Sequence, residues 1–188
     1  EIGVWRGASL RMWAEYFPKA DVFCIDPFHL SAQNKNLKEE LKLFGVNVFQ
    51  GNQLSRNDLK SFIKLHGVEF DVIIDDAAHM PDAIQISLGY LFPYLKSNGV
   101  YIVEDLVCAT DRQNRIQQVN ENIDGVLDIP HVVDHTLYES FKGYDEDNKW
   151  LSNTLSDKEK QYLVKNIFKW KFFDDKDGPN NLCVIRKK

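Results

Sequence analysis

No stretch of the chain approaches the roughly 20 consecutive apolar residues that a membrane-spanning helix requires, and no basic segment followed by an apolar core opens it as a secretory leader would. Membrane and secretory roles have no support here, and a soluble cytoplasmic protein is the expectation. Cysteine is scarce: Cys24, Cys108 and Cys183 are odd in number, far apart and without a C-x-x-C pair, which argues against a disulfide framework and a structural zinc site. Positive charge is short too. A formal net charge of −5, with one basic cluster at Arg186 to Lys188 that reads as a solvated strand end, offers no face to a nucleic-acid backbone. The dinucleotide fingerprint G-x-G-x-x-G is also missing. Counted from Gly3, its second glycine is replaced by Trp5, where a side chain would obstruct a pyrophosphate, so a nicotinamide-dependent oxidoreductase is disfavoured.

What the 188 residues do contain is a packed globule, 44% hydrophobic and 12% aromatic, of a size for one domain. Apolar runs of strand type recur at 21–26, 46–50, 70–75 and 99–105, separated by helical patterns at 8–17, 31–45, 55–67 and 81–95. Gly45 and Gly67 stand where helix C-caps belong, and Ser31 and Ser55 where N-caps belong. Strands apolar on both faces, alternating with helices, predict an α/β fold: a mostly parallel sheet covered by helices on both faces. Residues 113–123 can form another helix, 156–168 form a capped one, and 169–188 read as two strands joined by DKDGPNN, a hairpin that gives the sheet an antiparallel last strand. Residues 107–153 are expected to cover a substrate. There His131 and His135 read as ordinary loop or strand residues, and Tyr138, Tyr144 and Trp150 could stack on a ring or simply pack. Glu1 falls within a ligand loop, so most of the first strand is expected to precede it.

In open α/β sheets, ligands bind at the carboxyl ends of the strands. The first such end, EIGVWRGAS, places Gly3 and Gly7 between a strand and a helix start, where the backbone can approach a ligand and free amides await it. Asp26 ends the next strand and suits the two hydroxyls of a ribose. Together they suggest an adenosine-type ligand without a pyrophosphate. Further along, the strand FDVIID runs into Asp75, Asp76 and, three residues on, His79; the strand GVYIV runs into Glu104 and Asp105. If these strands are neighbours, about 5 Å apart, Asp76, Glu104 and Asp105 meet in one small volume, where like charges need a cation. Oxygen ligands favour Mg²⁺, with Mn²⁺ or Ca²⁺ as alternatives, and His79 on its loop reads as a general base.

These strings, E-I-G-V-x-x-G-x-S-L-R-M-W (1–13), C-I-D (24–26), G-N-Q (51–53), F-D-V-I-I-D-D-x-x-H (70–79), L-F-P-Y-L (91–95) and G-V-Y-I-V-E-D (99–105), resemble the class I S-adenosylmethionine-dependent methyltransferases. More narrowly, they resemble the metal-dependent sugar O-methyltransferases of macrolide and related antibiotic biosynthesis, whose relatives are often labelled cephalosporin hydroxylases. The resemblance covers about residues 1–106. It implies a Rossmann-like methyltransferase sheet, with Glu1, Gly3, Gly7, Ser9, Asp26, Gln53 and Asp75 at the cofactor, Asp76, Glu104 and Asp105 as metal ligands, and His79 as the catalytic base. The implied activity is Mg²⁺-dependent methyl transfer from S-adenosylmethionine to a hydroxyl of a small molecule, a sugar or glycoside, with no nucleic-acid or membrane partner and a homo-oligomer left open. Such relatives carry Gly and Ser where Ala77 and Ala78 stand; positive φ at position 77 would cost about 1 kcal/mol with Ala. A catalytically silent domain that keeps the nucleoside pocket is the alternative.

Overall fold

The computed structural model describes residues 1–29, 36–79, 81–105, 154–174 and 181–188. The helix expected at 113–123, the stretch 126–153 with its histidines and aromatics, Ser31, and most of the DKDGPNN turn lie outside the described residues. Chain order is α1 (Ala8–Tyr16), β1 (Phe23–Asp26), α2 (Leu37–Leu43), β2 (Asn47–Gln50), α3 (Arg56–His66), β3 (Phe70–Asp75), α4 (Pro81–Leu91), a 3₁₀ turn (Phe92–Tyr94), β4 (Leu95–Val103), α5 (Asp157–Asn166), β5 (Ile167–Asp174) and β6 (Asn181–Lys187).

The pairs β1–β2 and β3–β4 are parallel, while β6 runs antiparallel to both β4 and β5, in the order β3-β4-β6-β5. The expected alternating α/β architecture and antiparallel ending are both present. Between β1 and β3 lies the segment around Ile2, which bridges both in parallel. Ile2 N–H donates to Ile74 O at 2.8 Å and Asp76 N–H to Ile2 O at 3.0 Å, while Gly3 N–H donates to Ile25 O at 3.0 Å. Glu1 to Gly3 therefore sits between the two strand pairs and brings the glycine loop against the tip of β3.

Side chains of opposite parity face opposite layers, as a pleated strand requires. In β1, Cys24 joins Leu10 of α1 and Leu37 and Leu41 of α2, whereas Ile25 joins Leu59 and Phe62 of α3 and the α4 residues Ile84, Leu88 and Leu91. Helices thus cover both faces. The caps behave as the sequence suggests: the Ser55 side chain accepts from Asp58 N–H, Gly67 ends α3 at φ 62°, and Ser156 forms a capping box with Glu159. No helix among the described residues is long and apolar enough to cross a membrane.

Three details differ from expectation. The helical pattern of 81–95 breaks into α4 and a 3₁₀ turn because Pro93 has no N–H for the ladder and its ring crowds the preceding turn. The described part of α2 begins at Leu37, with Asn36 as its N-cap. The basic chain end is only partly solvated: Lys187 is 8% exposed, and its Nζ donates to the carbonyls of Pro93 at 2.9 Å and Leu95 at 2.6 Å. Those bonds offset the desolvation of a buried ammonium and fasten β6 beneath the 3₁₀ turn.

Candidate active site

The loop after Glu1 is built by hydrogen bonds that its own sequence supplies. The Glu1 carboxylate accepts from Ser9 Oγ at 2.5 Å and from Trp13 Nε1 at 2.8 Å, which ties the strand end to the first turns of α1. Ser9 and Trp13 lie one helical turn apart and so share a face. Gly7 caps α1 at φ 72° with no side chain on the helix N-terminus, so the first-turn amides stay available to an anion. Trp5 adopts φ 42° and exposes its indole, with Arg6 lying over the ring at 4.8 Å. Asp26 accepts from Val4 N–H at 2.9 Å through one oxygen and from Phe28 N–H through the other. It therefore shapes both the glycine loop and its own turn, and each oxygen keeps a lone pair for a ligand hydroxyl.

Gly3 adopts φ 95°, and a Cβ there would stand 2.2 Å from the Asp76 carbonyl oxygen and 2.9 Å from Ala77 Cα. The glycine loop and the tip of β3 are thus in direct backbone contact. Gly3→Ala combines a left-handed conformation with a clash against backbone, and is expected to destabilise the domain by about 3 kcal/mol. Urea unfolding checks this; a stable Gly3→Ala would mean the two tips are not in contact.

Beyond that contact, Asp76, His79 and Asp105 offer ligand atoms that all lie within 4.8 Å of one another, each side chain partly exposed. His79 Nε2 is 3.1 Å from Asp76 Oδ1. Parallel pairing carries Asp75 opposite Val103, and Glu104 N–H donates to Asp75 O at 2.9 Å, so the adjacency expected of the two strand tips is present. Glu104 does not join the tight trio. Its carboxyl is nonetheless raised above the usual range, by burial first and then by the charges of Asp76, Glu1 and Asp105. It stands electrostatically between the glycine loop and the trio. His79 is raised above its ordinary value by its hydrogen bond to Asp76, then by the charges of Asp76, Asp105 and Asp75, against burial.

Two members of the trio have left-handed backbone, His79 at φ 52° and Asp105 at φ 46°, whereas Ala77 and Ala78 do not. The feared strain at position 77 is absent; it falls instead on the residues that turn toward each other. Non-glycine residues held in this region mark sites where surrounding structure enforces a geometry.

Behind the trio, Asp75 is 1% exposed. Its carboxylate accepts from Gln53 Nε2 at 3.0 Å, from Tyr101 OH at 3.1 Å and from Ser87 Oγ. Asp75 and Gln53 therefore point inward, with their polar atoms engaged by protein. Ser87 and Tyr101 were not among the residues the sequence singled out. A hydroxyl inside each of the apolar runs IQISLGYLF and GVYIV is the available signal, since a buried hydroxyl needs a partner.

Burial pushes Asp75 up to about 6 from 3.8, outweighing the three donated bonds. A folded-state pKa above the unfolded one gives stability that is complete below about pH 4 and lost as pH rises through about 6. The difference corresponds to about 3 kcal/mol. Without added metal, wild type should lose about that much stability relative to the non-titrating Asp75→Asn between pH 4 and pH 7. A pH-independent gap between the two unfolding curves would contradict this.

Residues 1–106 match a family described as a methyltransferase domain. Similar curated proteins include mycinamicin VI 2''-O-methyltransferase of Micromonospora griseorubida, 32% identical over 113 residues that cover 56% of this chain and 26% of that protein. Another is the demethylmacrocin O-methyltransferase of Streptomyces fradiae, 31% identical over 113 residues that cover 56% of this chain and 26% of that protein. The chain spans about a quarter of the length of the curated relatives it matches. Among solved structures, the MycE methyltransferase of the mycinamycin pathway in complex with Mg, SAH and mycinamycin VI aligns at a TM-score of 0.56 and 19% identity, covering 99% of this chain and 43% of that one. An O-methyltransferase family protein from Burkholderia thailandensis aligns at 0.53 and 13%, covering 98% and 49%. At these identities the likeness is one of fold.

Proposed function

The chain belongs to the methyltransferase-domain family matched over residues 1–106, and on that premise we propose that it transfers a methyl group from S-adenosylmethionine to a hydroxyl of a small molecule, a sugar or glycoside, with Mg²⁺ bound at Asp76 and Asp105. The observation that carries this reading is the convergence of Asp76, His79 and Asp105 directly against the Gly3 loop. Two carboxylates from adjoining strand tips, with a third carboxyl beside them raised by burial and by their charge, form an oxygen donor set that fits a hard divalent cation and leaves the His79 imidazole as the base. The activities in the relatives' names, O-methylation of mycinamicin VI and of L-olivosyl-oleandolide, support the acceptor class.

The cofactor supplies an electrophilic methyl on a sulfonium. Its nucleoside would lie along Gly3 and Gly7, with the Asp26 oxygens accepting from ribose hydroxyls, the uncapped α1 amides facing its carboxylate, and Glu1 and Ser9 fixing the loop. The cation supplies charge, offsetting the carboxylates and easing deprotonation of a neighbouring hydroxyl. His79 Nε2 would accept the hydroxyl proton as the acceptor oxygen takes the methyl, the cofactor's sulfur leaving as a neutral thioether and the imidazole being left protonated. With Asp76 and Asp105 engaged by a cation, the charges that raise His79 are compensated and its neutral, proton-accepting form is favoured. Glu104 would lend negative charge between the cofactor loop and the metal. Much of the rate gain would come from positioning, worth roughly 7 to 11 kcal/mol in well-oriented systems.

The test is release of S-adenosylhomocysteine against a panel of glycosides, with Mg²⁺ and with EDTA. Turnover that requires Mg²⁺ is expected. Turnover equal in EDTA would remove the metal from the reading, and cofactor binding without turnover on any acceptor would favour the silent domain.

A further inference from the structure

Gln53 is 5% exposed, yet it lies in the turn between β2 and α3, far in sequence from the residues it touches. Its Nε2 donates to Asp75 Oδ1 at 3.0 Å, and its Oε1 accepts from Ala78 N–H at 2.9 Å. The amide has only one workable orientation: reversed, it would set oxygen against a carboxylate and NH₂ against an N–H. The turn that carries it is itself fixed, since Asn52 N–H donates to Asp58 Oδ2 at 2.8 Å, Leu54 N–H to Asn52 Oδ1 at 2.9 Å and Ser55 N–H to Asn52 O at 2.9 Å. Ala78 directly precedes His79, whose left-handed backbone must be enforced by something.

The loop Asp76 to His79 is gripped from two sides. On one, Asp76 N–H bonds Ile2 O and the Asp76 carbonyl abuts Gly3. On the other, Gln53 joins the base of the loop at Asp75 to its crown at Ala78. We infer that Gln53 is a positioning residue, a two-pronged clamp that holds the Asp76–His79 turn in the shape that brings both side chains to Asp105, rather than a contact to the cofactor. The inference rests on the proposed metal site for its consequence and on the geometry alone for the clamp. Residues that hold metal ligands in place typically contribute 10- to 100-fold to metal affinity.

The experiment compares Gln53→Met, similar in length and without either bond, with Gln53→Glu, whose carboxyl when protonated beside Asp75 reproduces both. Three readouts are taken: Mn²⁺ affinity by electron paramagnetic resonance, S-adenosylhomocysteine affinity by calorimetry, and amide hydrogen exchange at Ala78. Gln53→Met is expected to bind Mn²⁺ at least about tenfold more weakly, to bind S-adenosylhomocysteine within about twofold of wild type, and to lose protection at Ala78. Gln53→Glu is expected to recover most of the Mn²⁺ affinity and the protection. Unchanged Mn²⁺ affinity in Gln53→Met, or a tenfold loss confined to S-adenosylhomocysteine, would overturn the assignment. A wild-type protein that binds no Mn²⁺ would sink the metal reading instead. The clamp would then stand or fall on Ala78 exchange, with unchanged exchange in Gln53→Met refuting it.

Discussion

Asp76→Asn, probed with Mn²⁺ alone, is expected to lose metal affinity by roughly a hundredfold or more while its melting temperature holds or rises. The two effects share one cause. Asp76, Asp105 and Glu104 crowd negative charge at the tips of β3 and β4, and Glu104 records it in a carboxyl raised partly by its neighbours. Neutralising one member removes a ligand and relieves repulsion at once. Asp105→Asn should behave alike, because Asn tolerates the φ of 46° that position 105 adopts. In either variant Glu104 should titrate closer to an ordinary glutamate. A loss of stability with metal affinity intact would mean these carboxylates serve the fold rather than a cation.

His79→Asn is expected to reduce methyl transfer by roughly 10²- to 10⁴-fold while leaving S-adenosylhomocysteine affinity close to wild type. Asn is a better first variant than Ala, since it accepts the left-handed backbone at position 79 and so removes the imidazole without disturbing the turn. His79→Ala should lose as much activity and some stability as well. In the metal-free protein the bond to Asp76 keeps His79 protonated to higher pH than an ordinary imidazole. A base must be neutral to act, so the rate should rise with pH as His79 loses its proton. That rise should move to lower pH when the divalent ion is saturating, because its charge opposes that of Asp76. Full activity in His79→Asn would remove the imidazole from the mechanism.

The sheet was legible because its signals are redundant. In β1, β3 and β4, apolar residues fill both faces and the chain turns polar at the carboxyl end; the glycines after α2 and α3 and the serine before α3 mark where those helices stop and start. The expected convergence of Asp76, Glu104 and Asp105 followed from one adjacency rule; the β3–β4 pairing is present, and it brings Asp76 and Asp105 together while Glu104 stands outside the cluster. Backbone conformation was less legible. Position 77 drew attention because glycine favours positive φ, but the constraint sits at His79 and Asp105, where the loop must bend for two side chains to meet. Composition carries no trace of such strain, since it is imposed by contacts such as Gln53 to Ala78 that link residues 25 apart. Gln53 and Asp75 illustrate the same limit. A motif marks them as belonging to the site, but only burial and hydrogen bonding reveal that both turn inward and brace it.

The most direct test of the central claim is paramagnetic broadening of backbone amide resonances on titration with Mn²⁺, in the presence of S-adenosylhomocysteine. A divalent ion held by Asp76 and Asp105 beside the glycine loop should broaden residues 76–79, 104–105 and 1–4 first, at substoichiometric metal, with Asp76→Asn abolishing the effect. Broadening spread over the exposed acidic surface, or centred away from those three segments, would contradict it.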